Sequence, residues 1–133
     1  MMRKHLSFTV YGNQNDQQGN PIGYTRTTQK SKWNKQSIRY EKWKQYVWFS
    51  LLGHQQERYR YQGKTVVECT IWFANKKHAD SGNVVKGIAD ALSDSKQYGE
   101  RLYKNDNKVL ERVKDFFYDK AEPRVLVDIY ESE

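Results

Sequence analysis

Carboxylates, an amide and an ammonium group stand in this chain at spacings that suit phosphodiester chemistry. Asp80 stands third in the run His78-Ala79-Asp80-Ser81-Gly82-Asn83-Val84-Val85-Lys86-Gly87-Ile88-Ala89-Asp90-Ala91-Leu92. A second carboxylate, Asp106, lies in the turn-forming triplet Asn105-Asp106-Asn107. Steps of three and four residues return to one helical face, so Asn83, Lys86 and Asp90 share a stripe behind Asp80. Val85, Ile88, Ala89 and Leu92 fill the opposite face and are predicted to be buried. Cleaving a phosphodiester needs neutralised phosphate charge, an activated water and a stabilised leaving oxygen. Magnesium supplies much of this when carboxylates hold it and several of its waters stay in place. Asp80 and Asp106 are the candidate metal ligands, with Asp90 a further one. Lys86 is placed to reach the scissile phosphate or the leaving group. Asn83 can orient Asp80 or hold a metal-bound water, and Asp90 can hold Lys86 in position.

Each of these residues also has a plain structural reading. An Asp before a helix caps it and gains from the helix dipole. Lys86 and Asp90 form an ordinary surface ion pair on that reading, worth a few tenths of a kcal/mol. Asp106 between two Asn residues suits a turn with or without a metal. His78, two positions before Asp80, can contact phosphate or a metal-bound water, or be a lone surface histidine.

The elements that must position these groups read as β-α-β-α-β-β, an α+β domain on a small mixed sheet with two main helices, spanning residues 1–133. Leu6–Val10 alternates as a half-buried strand. A stretch without periodicity follows from Gly12 to about Trp33 and carries Arg26, Lys30 and Lys32, which suit phosphate contacts or a solvated loop. Asn34 is placed to cap a helix whose stripe is Tyr40, Trp43, Val47 and Leu51, with Trp48 and Leu52 beside it and Gly53 as the stop. That aromatic stripe reads as core or dimer interface before base-stacking platform. Lys35 and Arg39 on the same helix are candidate DNA contacts, or only a solvated surface. Val66–Phe73 is β-rich, Ser93–Arg101 reads as a polar loop, and Val109–Phe117 as a strand whose centre could also be helical. Pro123 closes a turn before a last alternating strand, Arg124–Tyr130.

The net charge of +7 and the pI of about 9.4 favour a polyanionic partner. Hydrophobic residues make up only 37% of the chain against 14% aromatics, which implies a thin, ring-rich core and suggests dimerisation. Cys69, the single cysteine, excludes an internal disulfide and reads as a small buried residue. His5 and His54 have no ligand spacing with each other or with Cys69, which argues against zinc. No phosphate-binding loop motif points to a nucleotide cofactor, and no nucleophilic Ser or Cys context is present. No apolar run is long enough for a membrane span, and no apolar region near the N-terminus reads as a signal peptide, so a cytoplasmic location is expected.

One ordered set of residues resembles a known family. Asp80-Ser81-Gly82-Asn83-Val84-Val85-Lys86, then Asp90-Ala91-Leu92, then Asn105-Asp106 before Val109, is similar to the signature of the RusA Holliday-junction resolvases, small endodeoxyribonucleases common in phages and prophages. The similarity is strongest from His78 to Val109. It implies a homodimer that binds four-way DNA junctions and nicks them symmetrically with magnesium or manganese. It places the metal ligands on Asp80 and Asp106 and the catalytic lysine on Lys86. The chain departs from the family at Gly82, where the signature has a second Asp. Three explanations stand: Asp90 or Glu111 compensates, the protein binds junctions but cuts poorly, or Gly82 is a variant of this chain. The alternative functions are therefore a non-catalytic junction or nucleic-acid binding protein with a degraded metal site, and an interaction protein whose aromatic helix binds another protein.

Overall fold

Strand β1 covers Met2–Tyr11, helix α1 Lys35–His54, strand β2 Thr65–Phe73, helix α2 Ser81–Ala91, strand β3 Val109–Tyr118 and strand β4 Arg124–Ser132. These elements come from a computed structural model that describes residues 2–12, 19–26, 33–54, 60–104 and 108–132. They form one mixed sheet in the order β1-β4-β2-β3. β1 and β2 flank β4 antiparallel, whereas β2 and β3 run parallel. A parallel pair needs a long crossover, and α2 supplies it. The candidate chemistry of the sequence therefore sits on the crossover helix.

The interior position of β2 explains its composition. It lies between two strands, and its residues from Thr65 to Ile71 are buried. β3 is the edge strand and is mostly exposed, which accounts for its charged centre Glu111-Arg112-Val113-Lys114-Asp115. The centre is strand rather than helix because β2 holds it in register from Val109 to Tyr118, with an irregularity opposite Cys69 and Thr70. β1 starts earlier than alternation predicts, because Met2 finds a partner in Ser132 on β4.

The aromatic stripe of α1 is core. Tyr40, Trp43, Val47 and Leu51 are almost fully buried, and Trp48 is nearly so, whereas Leu52 faces outward. Asn34 caps the helix as its position suggests, with the Ser37 amide donating to its side-chain oxygen at 2.8 Å. Gly53 does not stop α1, because the helix runs through it to His54. Val84, Val85, Ile88, Ala89 and Ala91 seal α2 onto the sheet, with Leu92 just beyond the helix also buried. Cys69 is buried in β2, and burial pushes its thiol pKa up. No helix among the described residues is long and apolar enough to cross a membrane.

Two connections that read as polar loops are built into the fold. In the stretch 19–26, Asn20 is buried; its side-chain oxygen accepts from the Ala74 amide at 2.7 Å and its nitrogen donates to Asn75 and the Lys77 carbonyl. In the stretch after α2, Arg101 is buried and donates to the Ala91 carbonyl at 2.6 Å, with its guanidinium over Trp48 and Tyr98. Arg60 grips Asp94 with two hydrogen bonds of 3.0 and 2.7 Å, and the Arg101 amide donates to the same carboxylate.

Arg60 holds the Asp94 carboxyl below the usual carboxylate range. A depressed folded pKa contributes stability above the unfolded value of about 3.9, and that contribution is lost as pH falls through the folded value. Asp94→Asn should therefore lower the Tm at pH 7 by about 3 °C. The gap from the parent should narrow as the pH drops below about 4. Thermal melts across pH 3 to 7 check both, and a gap independent of pH would contradict this account.

Candidate functional site

Asp80 is the N-cap of α2, and its carboxylate accepts from the Asn83 amide at 3.3 Å. It is also exposed, so the cap role does not hide it from solvent or substrate. Gly82 lies directly beside it, since a Cβ at this position would stand 3.1 Å from Asp80 Oδ2. A carboxylate at residue 82 would thus start next to the one at Asp80. Residue 82, where the resembled signature has an acid, thus offers no side chain beside Asp80.

The segment 19–26 packs across the first turn of α2. The Tyr24 amide donates to the Asn83 carbonyl at 2.9 Å. Gly23 makes that approach possible, because a Cβ there would meet Ala79 Cβ at 2.7 Å. Tyr24 then lies beneath Lys86, whose ammonium is 4.3 Å from the ring centroid. The same ring meets Tyr40 of α1 edge-on at 5.6 Å. Arg26 and Arg39 flank these two tyrosines in sequence and are exposed, as is Lys35 in the first turn of α1.

Asp90 has different company from that expected. It accepts from the Tyr40 hydroxyl at 2.6 Å and pairs with Lys44 at 3.4 Å, so its carboxylate is tied to α1 rather than to Lys86. The cause is close helix packing at Gly87, where a Cβ would stand 3.3 Å from the Tyr40 ring. Burial pushes the Tyr40 pKa up, and its bond to Asp90 adds to the effect. Asn83 meets Asp80 through its backbone amide. His78 is turned into a ring stack instead of toward Asp80. It lies 3.5 Å from Phe73 at 8°, its Nδ1 donates to the Ala79 carbonyl at 2.7 Å, and Nε2 accepts from the Tyr118 hydroxyl at 3.0 Å.

A cleft of about 140 Å³ runs between α2 and the start of β3, lined by Tyr24, Lys86, Asp90, Tyr103 and Glu111 among others. Glu111 enters it from the edge strand. Burial raises the Glu111 pKa, the nearby Lys86 opposes that rise, and Asp90 adds to it. Of the groups in this cleft, Tyr24 carried no signal in the sequence, since nothing in a structureless stretch shows which helix it will cross. Tyr40 was legible only as a core aromatic.

Asp106, Lys30 and Lys32 lie outside the described residues. Among the described residues, no three His, Cys, Asp or Glu side chains stand close enough together to hold a metal ion. Among the described residues, the acidic donor at the α2 mouth is the Asp80 carboxylate, with no side chain at Gly82 to add to it. One or two carboxylates suffice for magnesium, which keeps several of its waters, so Asp80 fits as one ligand.

Removing the Asp90 carboxylate leaves a buried tyrosine hydroxyl without its acceptor. Asp90→Ala should cost about 2 kcal/mol in urea denaturation, and Tyr40→Phe with Asp90→Ala should cost less than the two single changes added together. Strict additivity would show that the 2.6 Å contact does not couple the helices.

Residues 18–130 match the family model described as Endodeoxyribonuclease RusA. A comparison with curated proteins finds no match.

Proposed function

Because the chain belongs to the RusA endodeoxyribonuclease family, we propose that it nicks four-way DNA junctions by metal-dependent hydrolysis at the mouth of α2. The observation that carries this reading is the joint placement of Asp80 and Lys86. One caps the crossover helix and the other extends from its exposed face, in the segment that matches the family. Asp80 and Asp106 would hold magnesium or manganese. When bound, the ion supplies charge neutralisation at the phosphate and lowers the pKa of a coordinated water. Lys86 meets the scissile phosphate or the leaving oxygen with its ammonium, and Tyr24 beneath it restricts where that ammonium can go. The Asn83 amide holds the Asp80 carboxylate against the helix mouth. Arg26, Lys35 and Arg39, with Lys30 and Lys32, contact backbone phosphates and supply affinity without reading sequence. A homodimer brings two such sites to opposed strands of one junction. The protein works in the cytoplasm, on phage or bacterial DNA.

A second reading rests on Gly82. With no carboxylate at that position, the chain could bind junctions through the same basic residues and turn over slowly or not at all. Glu111 lines the cleft that holds Lys86 and Asp90, whose lining does not include Asp80.

Gel assays on a synthetic four-way junction separate the readings. In magnesium the parent protein should nick the junction and leave linear duplex largely intact. Asp80→Asn and Lys86→Ala should each reduce nicking by about 100-fold or more, while junction binding stays within about threefold. Nicking unchanged by both substitutions would remove the site from α2. Binding with no nicking in either metal would establish the non-catalytic reading.

Gly82→Asp tests the missing donor. It should raise nicking at least about fivefold and enlarge the magnesium-induced rise in Tm, because a second carboxylate at Asp80 tightens binding to the folded state. In the absence of metal the same variant should melt slightly below the parent, since two like charges then stand unshared. No gain in either readout would mean that residue 82 does not limit the metal site.

A further inference from the structure

The sheet end at which β2 and β3 both finish carries rings that the nuclease site does not use. Phe116 and Tyr118 of the edge strand are 45% and 49% exposed, which is a high exposure for two aromatics on one strand. Tyr118 is the register partner of Phe73, and His78 lies flat on Phe73 while accepting from the Tyr118 hydroxyl. Phe116 meets Phe73 at 6.1 Å and Tyr118 at 6.2 Å, both edge-on. The rings therefore form one shelf, with Phe73 buried at its base. Its near end is the His78-Ala79-Asp80 segment that leads into α2.

The rim of the shelf is basic. β2 and β3 are parallel, so the turns that leave them emerge at the same end, and they carry the exposed Lys76, Lys77 and Lys120. Of the two acidic residues in the turn after β3, Asp119 is already matched to Arg124 at 2.9 Å and Glu122 is exposed, so the three lysines leave the rim net positive. Exposed rings fringed by lysines are what a single strand of nucleic acid needs, with π-faces for its bases and ammonium groups for its backbone. A second copy of the chain seated on the same face would bring like-charged rims together, which disfavours that occupant. We propose that Phe116, Tyr118 and His78 form a stacking site for an unpaired DNA base, with Lys76, Lys77 and Lys120 on the flanking phosphates. The inference rests on the chain acting on DNA, and it adds where a strand opened at a branch point would lie relative to Asp80.

The test compares an unpaired oligonucleotide of about 16 nucleotides with a duplex of the same length by fluorescence anisotropy at fixed salt. Phe116→Leu with Tyr118→Leu keeps apolar bulk and removes the π-faces. It should weaken binding of the unpaired strand about tenfold and change duplex binding less than twofold. Lys76→Gln with Lys77→Gln should weaken both and flatten the salt dependence. Phe116→Leu alone, a mild change at an exposed position, serves if the double variant melts early. Equal losses on both DNAs, or no loss on the unpaired strand, would overturn the proposal. So would a sedimentation change showing that these rings join two copies. Nicking of the four-way junction by the parent protein is scored separately. A protein that nicks but shows no ring-dependent preference loses this inference alone, and one with the preference but no nicking loses the nuclease reading alone.

Discussion

The hydrogen bond from Tyr40 to Asp90 joins the two helices at the point on which the α2 stripe depends. α2 has one face sealed to the sheet and must present the other to solvent at a fixed rotation. Gly87 lets α1 approach closely enough for the tyrosine to reach across, and Lys44 reinforces the same carboxylate. With α2 held in rotation, Asp80, Asn83 and Lys86 stand on the outward side. A charged residue of the α2 stripe, Asp90, thus serves the architecture, and Lys86 one turn before it stays exposed.

The segment 19–26 sets the other boundary of the site. Asn20 anchors it to the end of β2, and Gly23 and Tyr24 lay it over the first turn of α2. This contact places an aromatic ring under the Lys86 ammonium, and β3, paired with β2, brings the Glu111 carboxylate to the same cleft. The site is therefore assembled from a loop, a crossover helix and an edge strand. The loop comes from far earlier in the chain than the helix and the strand, which follow one another. A parallel β2–β3 pair is what makes their meeting possible, because it returns the chain to the same sheet beside the helix it has just left.

The α2 mouth carries one exposed carboxylate, from Asp80. Asp80 sits at the positive end of a helix dipole and its side chain receives one backbone hydrogen bond. Gly82 leaves space beside it where the family signature carries a second acid. The glycine does not distort the helix, since it lies in the first turn and its conformation is not left-handed. The departure from the signature is thus a change in chemistry on an intact scaffold.

Much of this was legible in the residues alone. Periodicity located both helices, because a buried stripe at steps of three and four leaves a clear mark, and it located the strands to within a few residues. Asp80, Lys86 and the glycine between them were readable because they fall in one short segment with fixed helical geometry. The charge ladder of β3 was ambiguous, since an exposed edge strand and an exposed helix bury too little to leave a pattern. The extension of α1 through Gly53 was misread because a glycine marks a helix end only when packing does not carry the helix past it.

What the sequence determined by itself was which groups lie on the same side of one helix, a local matter of bond geometry. Only the tertiary structure decided that Asp90 belongs to α1, that Tyr24 lies under Lys86, and that His78 turns into a ring stack. Those partners come from elements far apart along the chain. Their choice depends on which surfaces pack closest, and no spacing within a segment encodes that.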